Sequence, residues 1–167
     1  MQLDELHKIL DKMVSEMRDN LAKTKTNASG RTSASLRVVM TNTGGEIWGR
    51  KYFRGVEQGR AGGRVPRNFN AIIRQWIIDK GLTPQAIPYK RKPSANWQSK
   101  YTPEERGLRQ MASAIARTIE KSGTSLYRGG GRKDIFTNVI EDNKPAILQV
   151  AKEIITDNLY GKYGTSK

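Results

Sequence analysis

Gly30-Arg31-Thr32-Ser33-Ala34-Ser35-Leu36-Arg37-Val38 and, a short interval later, Tyr52-Phe53-Arg54-Gly55-Val56-Glu57-Gln58-Gly59-Arg60 are the strings whose reading decides the fold class. The first reads as a glycine-punctuated approach to a strand, because Leu36-Arg37-Val38-Val39-Met40-Thr41 is rich in β-branched residues. Asn42-Thr43-Gly44-Gly45 offers a hairpin turn into Glu46-Ile47-Trp48. The second string reads as a further short strand over residues 52–57, closed by a glycine turn. A small antiparallel sheet within residues 31–59 is therefore expected.

The flanks of this region have helical periodicity. In residues 2–24, Leu3, Leu6, Leu10, Met13, Met17 and Leu21 recur at spacings of three and four, with Ile9 and Val14 beside them. Such a stripe suits the core of its own domain, or a seam against another copy. The same helix carries Asp4, Glu5, Asp11, Glu16 and Asp19 against Lys8, Lys12 and Arg18, an acidic element in a basic chain that suits head-to-tail contacts between subunits. A polar linker over residues 24–30 leads into the sheet. Beyond the sheet, residues 67–80 predict a helix with Phe69, Ile72, Ile73, Trp76 and Ile77 on its apolar face and Gly81 as its stop.

Residues 83–102 hold Pro84, Pro88 and Pro93, the aromatics Tyr89, Trp97 and Tyr101, and Lys90, Arg91, Lys92 and Lys100, and read as a long basic loop. Thr102, Pro103 and Glu105 spell a capping box that opens a helix to about residue 122, with Leu108, Met111, Ala112, Ile115 and Ile119 inward. Asp134 is placed to cap a short helix carrying Ile135, Val139 and Ile140. Pro145 then opens a last helix with Ile147, Leu148, Ala151, Ile154, Ile155 and Leu159 as its stripe. Residues 161–167 read as a flexible tail. Helix, small sheet, then packed helices with long basic loops describes a single α+β domain over residues 1–167, its helical region spanning 67–160.

Composition bounds the function. A 167-residue chain with 36% hydrophobic residues builds a lean core. The absence of cysteine excludes disulfides and thiolate metal sites. The acidic N-terminus lacks an apolar leader, and no apolar run reaches membrane-spanning length, so a soluble product made and assembled in a cytoplasm is expected, without a membrane partner. The net charge of +14 predicts attraction to polyanions or to an acidic partner surface.

Catalytic chemistry finds little to work with. The sole histidine, His7, lies among charged neighbours in the first helix, so no histidine-based triad or Cys/His pair can be assembled. Glu104-Glu105 and Glu141-Asp142 suit helix ends, and Glu57 is expected to pin the glycine turn beside it. The glycine-basic strings Gly59-Arg60-Ala61-Gly62-Gly63-Arg64 and Gly129-Gly130-Gly131-Arg132-Lys133 miss the spacing of nucleotide-binding loops and read as mobile basic loops. No enzyme activity, metal or cofactor is expected.

Three basic segments remain as candidate contact sites: Arg50, Lys51, Arg54, Arg60, Arg64 and Arg67; Lys90, Arg91 and Lys92; and Arg128, Arg132 and Lys133. They would face DNA or an acidic partner. Their interleaved aromatics suit interface anchoring or base stacking, and no sequence-reading motif accompanies them. A protein that binds nucleic acid without sequence specificity is the alternative function on these grounds.

The two opening strings resemble the double signature of the tail-completion or neck (head–tail joining) proteins of tailed bacteriophages. In that family a Gly-Arg-Leu-x-x-Ser-Ile string precedes Tyr-x-x-x-Val-Glu-x-Gly-Thr. Gly30, Arg31, Ser35, Tyr52, Val56, Glu57 and Gly59 match it, whereas Thr32, Leu36 and Arg60 depart. The match covers about a fifth of the chain, and the helices after Pro66 lie outside it. The resemblance implies a structural virion protein with a ring-forming α+β fold at the head–tail junction. It also implies contacts with other copies and with connector or tail proteins, around a lumen that passes the genome.

Overall fold

The computed structural model describes residues 2–24, 26, 28–90 and 99–163. The chain has an N-terminal helix, a two-stranded antiparallel sheet and several further helices, an α+β composition. Its contacts divide into two compact units, one formed by Met1–Glu57 with Arg132–Lys167 and the other by Gln58–Gly131. The division falls inside the stretch read from sequence as one domain.

In the first unit, α1 (Gln2–Lys23) turns its three-four stripe into the core: Leu6, Leu10, Met13, Val14, Met17 and Leu21 are all buried. They pack with Leu36, Ile135, Val139 and Val150. The stripe therefore serves its own domain, and each enclosed leucine or methionine contributes about 1.5–3 kcal/mol of transfer free energy. The strands β1 (Arg37–Thr41) and β2 (Gly44–Trp48) pair from Arg37↔Trp48 to Thr41↔Gly44 across the Asn42-Thr43 turn. Gly45 lets this hairpin lie against α1, since a Cβ there would stand 2.5 Å from the Leu10 Cδ1.

Three expectations are corrected in this unit. Residues 31–34, read as a strand approach, form the short helix α2 (Arg31–Ala34), which delivers Leu36 fully into the core before β1 starts. Residues 52–57, read as a strand, form a turn that winds into the short helix α3 (Gly55–Gln58). Strand alternation would have put Phe53 and Val56 on opposite faces. The helical turn instead brings Phe53, Val56 and Glu57 to the core side and leaves Tyr52 82% exposed. Phe53 meets Phe136 with ring centroids 5.1 Å apart.

The third correction is at the C-terminus, where the two expected helices are one. That helix, numbered here with α4, α5 and α6 of the second unit preceding it in the chain, is α7 (Thr137–Tyr163), with Pro145 inside it. Asp134 does not cap it; its carboxylate is engaged by Arg132. Proline removes one helical hydrogen bond. Continuity across Pro145 is held by packing, because Val139, Ile147, Val150 and Ile154 on both sides of it join the α1 core. The expected stripe also splits: Ile147 and Ile154 face inward, whereas Leu148, Ile155 and Leu159 are exposed.

The second unit is built on α4 (Phe69–Asp79) and α5 (Pro103–Ser122), which share a core of Phe69, Ile73, Ile77, Ala112 and Ala116. Both ends anticipated from sequence are present. Gly81 adopts φ 65° after α4 and donates to the Ile78 carbonyl while Leu82 donates to that of Ile77, a left-handed helix stop. At α5, Thr102 Oγ1 accepts from the Glu105 N–H at 3.2 Å and the Glu105 carboxylate accepts from the Thr102 N–H at 3.1 Å. The Glu104 carboxyl lies below the ordinary carboxylate range, first through its backbone hydrogen bond and then through Thr102. Buried Gly107 occurs within α5 for a steric reason: a Cβ there would lie 2.0 Å from the Gln85 carbonyl oxygen.

Candidate docking groove and basic segments

Most matched signature positions do structural work. Gly30 precedes α2 at φ 73°. Arg31 Nε donates to Ser29 Oγ at 2.9 Å. Ser35 Oγ donates to the Thr32 carbonyl and accepts the Arg50 N–H at 3.1 Å, tying the end of α2 to the chain beyond the hairpin. Val56 packs against the core of the first unit. Tyr52 is 82% exposed, and Arg31 is also at the surface.

Glu57 is the most constrained of them. It is 2% exposed, and its Oε1 accepts the N–H groups of Ile135, Phe136 and Thr137 at 2.9, 2.7 and 3.0 Å. Its Oε2 accepts the Thr137 hydroxyl, and its own carbonyl accepts the Arg132 N–H at 2.9 Å. Three orphan amides at the start of α7 are thus satisfied by one carboxylate, where the helix dipole also favours negative charge. The carboxylate pins a helix start 80 residues away rather than the adjacent glycine turn.

Gly59, in the second unit, adopts φ 69° and lies so close to Thr124 that a Cβ would stand 2.5 Å from both Thr124 Oγ1 and the Tyr127 nitrogen. The segment after it is fastened: Arg60 N–H donates to Thr124 Oγ1, Thr124 N–H to the Arg60 carbonyl, and Gly63 N–H to the Glu120 carbonyl. The loop read as mobile is stitched to the end of α5. Residues 129–131 are likewise closed back by hydrogen bonds from Gly130 and Gly131 to Tyr127 and Leu126.

The basic candidates fall into different environments. Arg132 forks onto Asp134 with contacts of 2.6 and 2.8 Å, which holds the Asp134 carboxyl below its ordinary range. Arg54 takes part in an interaction of its own. Arg50, Lys51, Arg64, Arg67, Lys90 and Lys133 are exposed. Arg91 and Lys92, with Trp97, lie outside the described residues. Tyr89 and Tyr101 are covered by Arg106 and Arg109, whose guanidinium carbons stand 3.7 and 3.8 Å from the ring centroids. Those faces are already stacked within the protein.

Charge is unequally shared. Residues 58–131 carry 14 Lys and Arg against 4 Asp and Glu, a net +10 of the chain's +14. The same unit holds a feature that the sequence did not disclose. An open groove of about 730 Å³ runs along α4 and α5 to α6 (Ser125–Arg128). α4 lines it with Phe69, Ile73 and Trp76, α5 with Ile115 and Ile119, and α6 with Leu126. The sequence placed Ile72 and Trp76 on the apolar face of α4, and there they stand 46% and 39% exposed. The signal was available: the apolar arc of α4 from Ile72 to Ile77 is wider than one neighbouring helix covers.

Arg60 and Arg128 stand at this groove. Arg60 lies over the Phe69 ring, 5.2 Å from its centroid, and donates to the Arg64 carbonyl at 2.6 Å. Arg128 donates to the Gly123 carbonyl at 2.7 Å and to Ser122 Oγ at 3.2 Å. Both cations are positioned by main-chain and aromatic contacts, and among the described residues neither is paired with a carboxylate.

Among the described residues no three histidine or carboxylate side chains converge into a metal-binding group, and no helix is long and apolar enough to cross a membrane. Comparison with protein-family models, characterised proteins and solved structures finds no match to this chain.

Proposed function

We propose that this chain is a structural subunit of a tailed-phage particle, a neck or tail-completion protein that assembles into a ring at the portal–tail junction around the DNA path. The observation that carries the reading is the pair of strings at Gly30–Ser35 and Tyr52–Gly59. Their matched residues lie at helix ends, tight turns and one buried carboxylate, as suits a signature of architecture. The reading places the protein in the virion after assembly in the host cytoplasm and gives it no catalytic step and no cofactor. Assembly proceeds by docking of apolar surface, with charge complementarity setting register. Neighbouring copies and adjoining connector or tail proteins are its partners. Electron microscopy of the purified protein at high concentration tests this: closed rings of uniform diameter with an open lumen are expected, and open filaments would count against closure.

The net +10 of residues 58–131 favours a second reading, binding of nucleic acid without sequence preference. That reading requires DNA affinity that falls with the logarithm of salt concentration by several units of slope, and a flat salt dependence removes it.

A further inference from the structure

We infer that the groove along α4 and α5 receives an amphipathic helix of a partner protein whose apolar face is flanked by Asp and Glu. The inference deepens the assembly reading by naming the chemistry of one neighbour, and it rests on that reading.

Shape and hydrophobicity give the first argument. The long described helices of residues 58–131, α4 and α5, pack on each other and leave Trp76, at the groove, 39% exposed and its neighbour Ile72 46% exposed. Eleven residues of α4 span about 16 Å, so the open flank matches about three turns of a third helix seated between two. Such an insertion uses anchors at i, i+3 or i+4, and i+7.

Charge gives the second argument, and it selects the partner. Arg60 and Arg128 are held at the groove without a carboxylate, in a unit of net +10. A docked helix with lysine flanks would meet repulsion there, whereas carboxylate flanks would meet guanidinium groups already oriented. Nucleic acid would use the charge but not the apolar walls. The chain's own acidic helix, α1, spends its apolar face in its own core and is not the occupant.

The test is selection from a yeast-displayed library of helical peptides of about 16 residues, apolar at i, i+3, i+4 and i+7, with flanking positions randomised among Glu, Lys, Gln and Ser. The bait is the full chain. Glu is expected to dominate the flanks, and a Lys-flanked twin of a selected peptide should bind at least ~10-fold more weakly. Ala114→Glu and Thr118→Trp, at exposed α5 positions lining the groove, should each lower binding ~10-fold or more with the circular dichroism unchanged. Four outcomes overturn the inference: Lys-rich or charge-neutral selectants, no selectants, binding insensitive to both variants, or displacement of the selected peptides by duplex DNA. A further contrary result is self-association that either variant abolishes, which would assign the groove to a second copy. Light scattering on the same preparations separates the two levels. A discrete ring with no Glu-flanked selectants rejects the groove's partner alone, whereas selectants at the groove of a chain that never assembles reject the ring alone.

Discussion

Glu57 and Thr137, 80 residues apart in the chain, are bound to each other twice: Oε1 of the carboxylate accepts the Thr137 N–H at 3.0 Å while Oε2 accepts its hydroxyl. With the Ile135 and Phe136 amides on the same oxygen, this buried contact fixes where α7 begins. Glu57→Ala would leave three amides at the start of α7, one buried and two part-buried, without this partner, and a loss of about 3–4 kcal/mol in the first unit is expected by urea unfolding. Thr137→Val removes only the hydroxyl bond and should cost about 1 kcal/mol. A double-mutant cycle between the two sites should show coupling; strict additivity would mean the contact contributes nothing.

Gly59 and Gly30 form a controlled pair. Both adopt positive φ, 69° and 73°, but a Cβ at Gly59 would press on Thr124 and Tyr127 while one at Gly30 meets nothing within 4 Å. Gly30→Ala should cost about 1–2 kcal/mol, the left-handed penalty alone. Gly59→Ala should cost clearly more, because the stitched segment must move. Equal losses in thermal unfolding would show that the segment 59–64 yields freely.

Removal of the cap on α5 is a smaller, local test. Thr102→Ala deletes the acceptor for the Glu105 N–H and should lower stability by about 1 kcal/mol. Amide exchange in the first turn of α5 should accelerate before exchange in the α4–α5 core does.

Asp134 supplies a pH signature. Arg132 lowers its carboxyl in the folded chain, so its contribution is present above the unfolded Asp value of about 3.9 and is lost as pH falls through the lower folded value. The stability difference between the wild type and Asp134→Asn should therefore be present at neutral pH and shrink in acid below about pH 4. A difference that grows on acidification would refute the ion pair as its source.

The features legible in the sequence were those whose causes are local. Thr102, Pro103 and Glu105 specify a helix start within four residues, and Gly81 specifies a stop within one turn. The stripe of α1 was equally plain, because three-four spacing over six positions fits one helix face. The misread segments answer to distant partners. Residues 52–57 have strand-like composition, but the amides that Glu57 must cap lie about 80 residues on, and that demand selects the helical turn. Phe53, Val56 and Glu57 at i, i+3 and i+4 were the local hint. Asp134 and Pro145 are local signals of helix starts, overruled by Arg132, by the Glu57 cap and by packing on α1. The groove was hidden because apolar residues on α4 read alike whether they face α5 or solvent, and the +10 of residues 58–131 emerges only once the two units are delimited.

The central claim is that this chain acts by assembling. Its most direct test is the mass in solution after nuclease treatment, read by light scattering at about 50 mM and about 300 mM salt, with and without a short DNA duplex. The account predicts one discrete oligomer whose mass is the same with and without the duplex. A monomer that joins the duplex at the lower salt and releases it at the higher would contradict it.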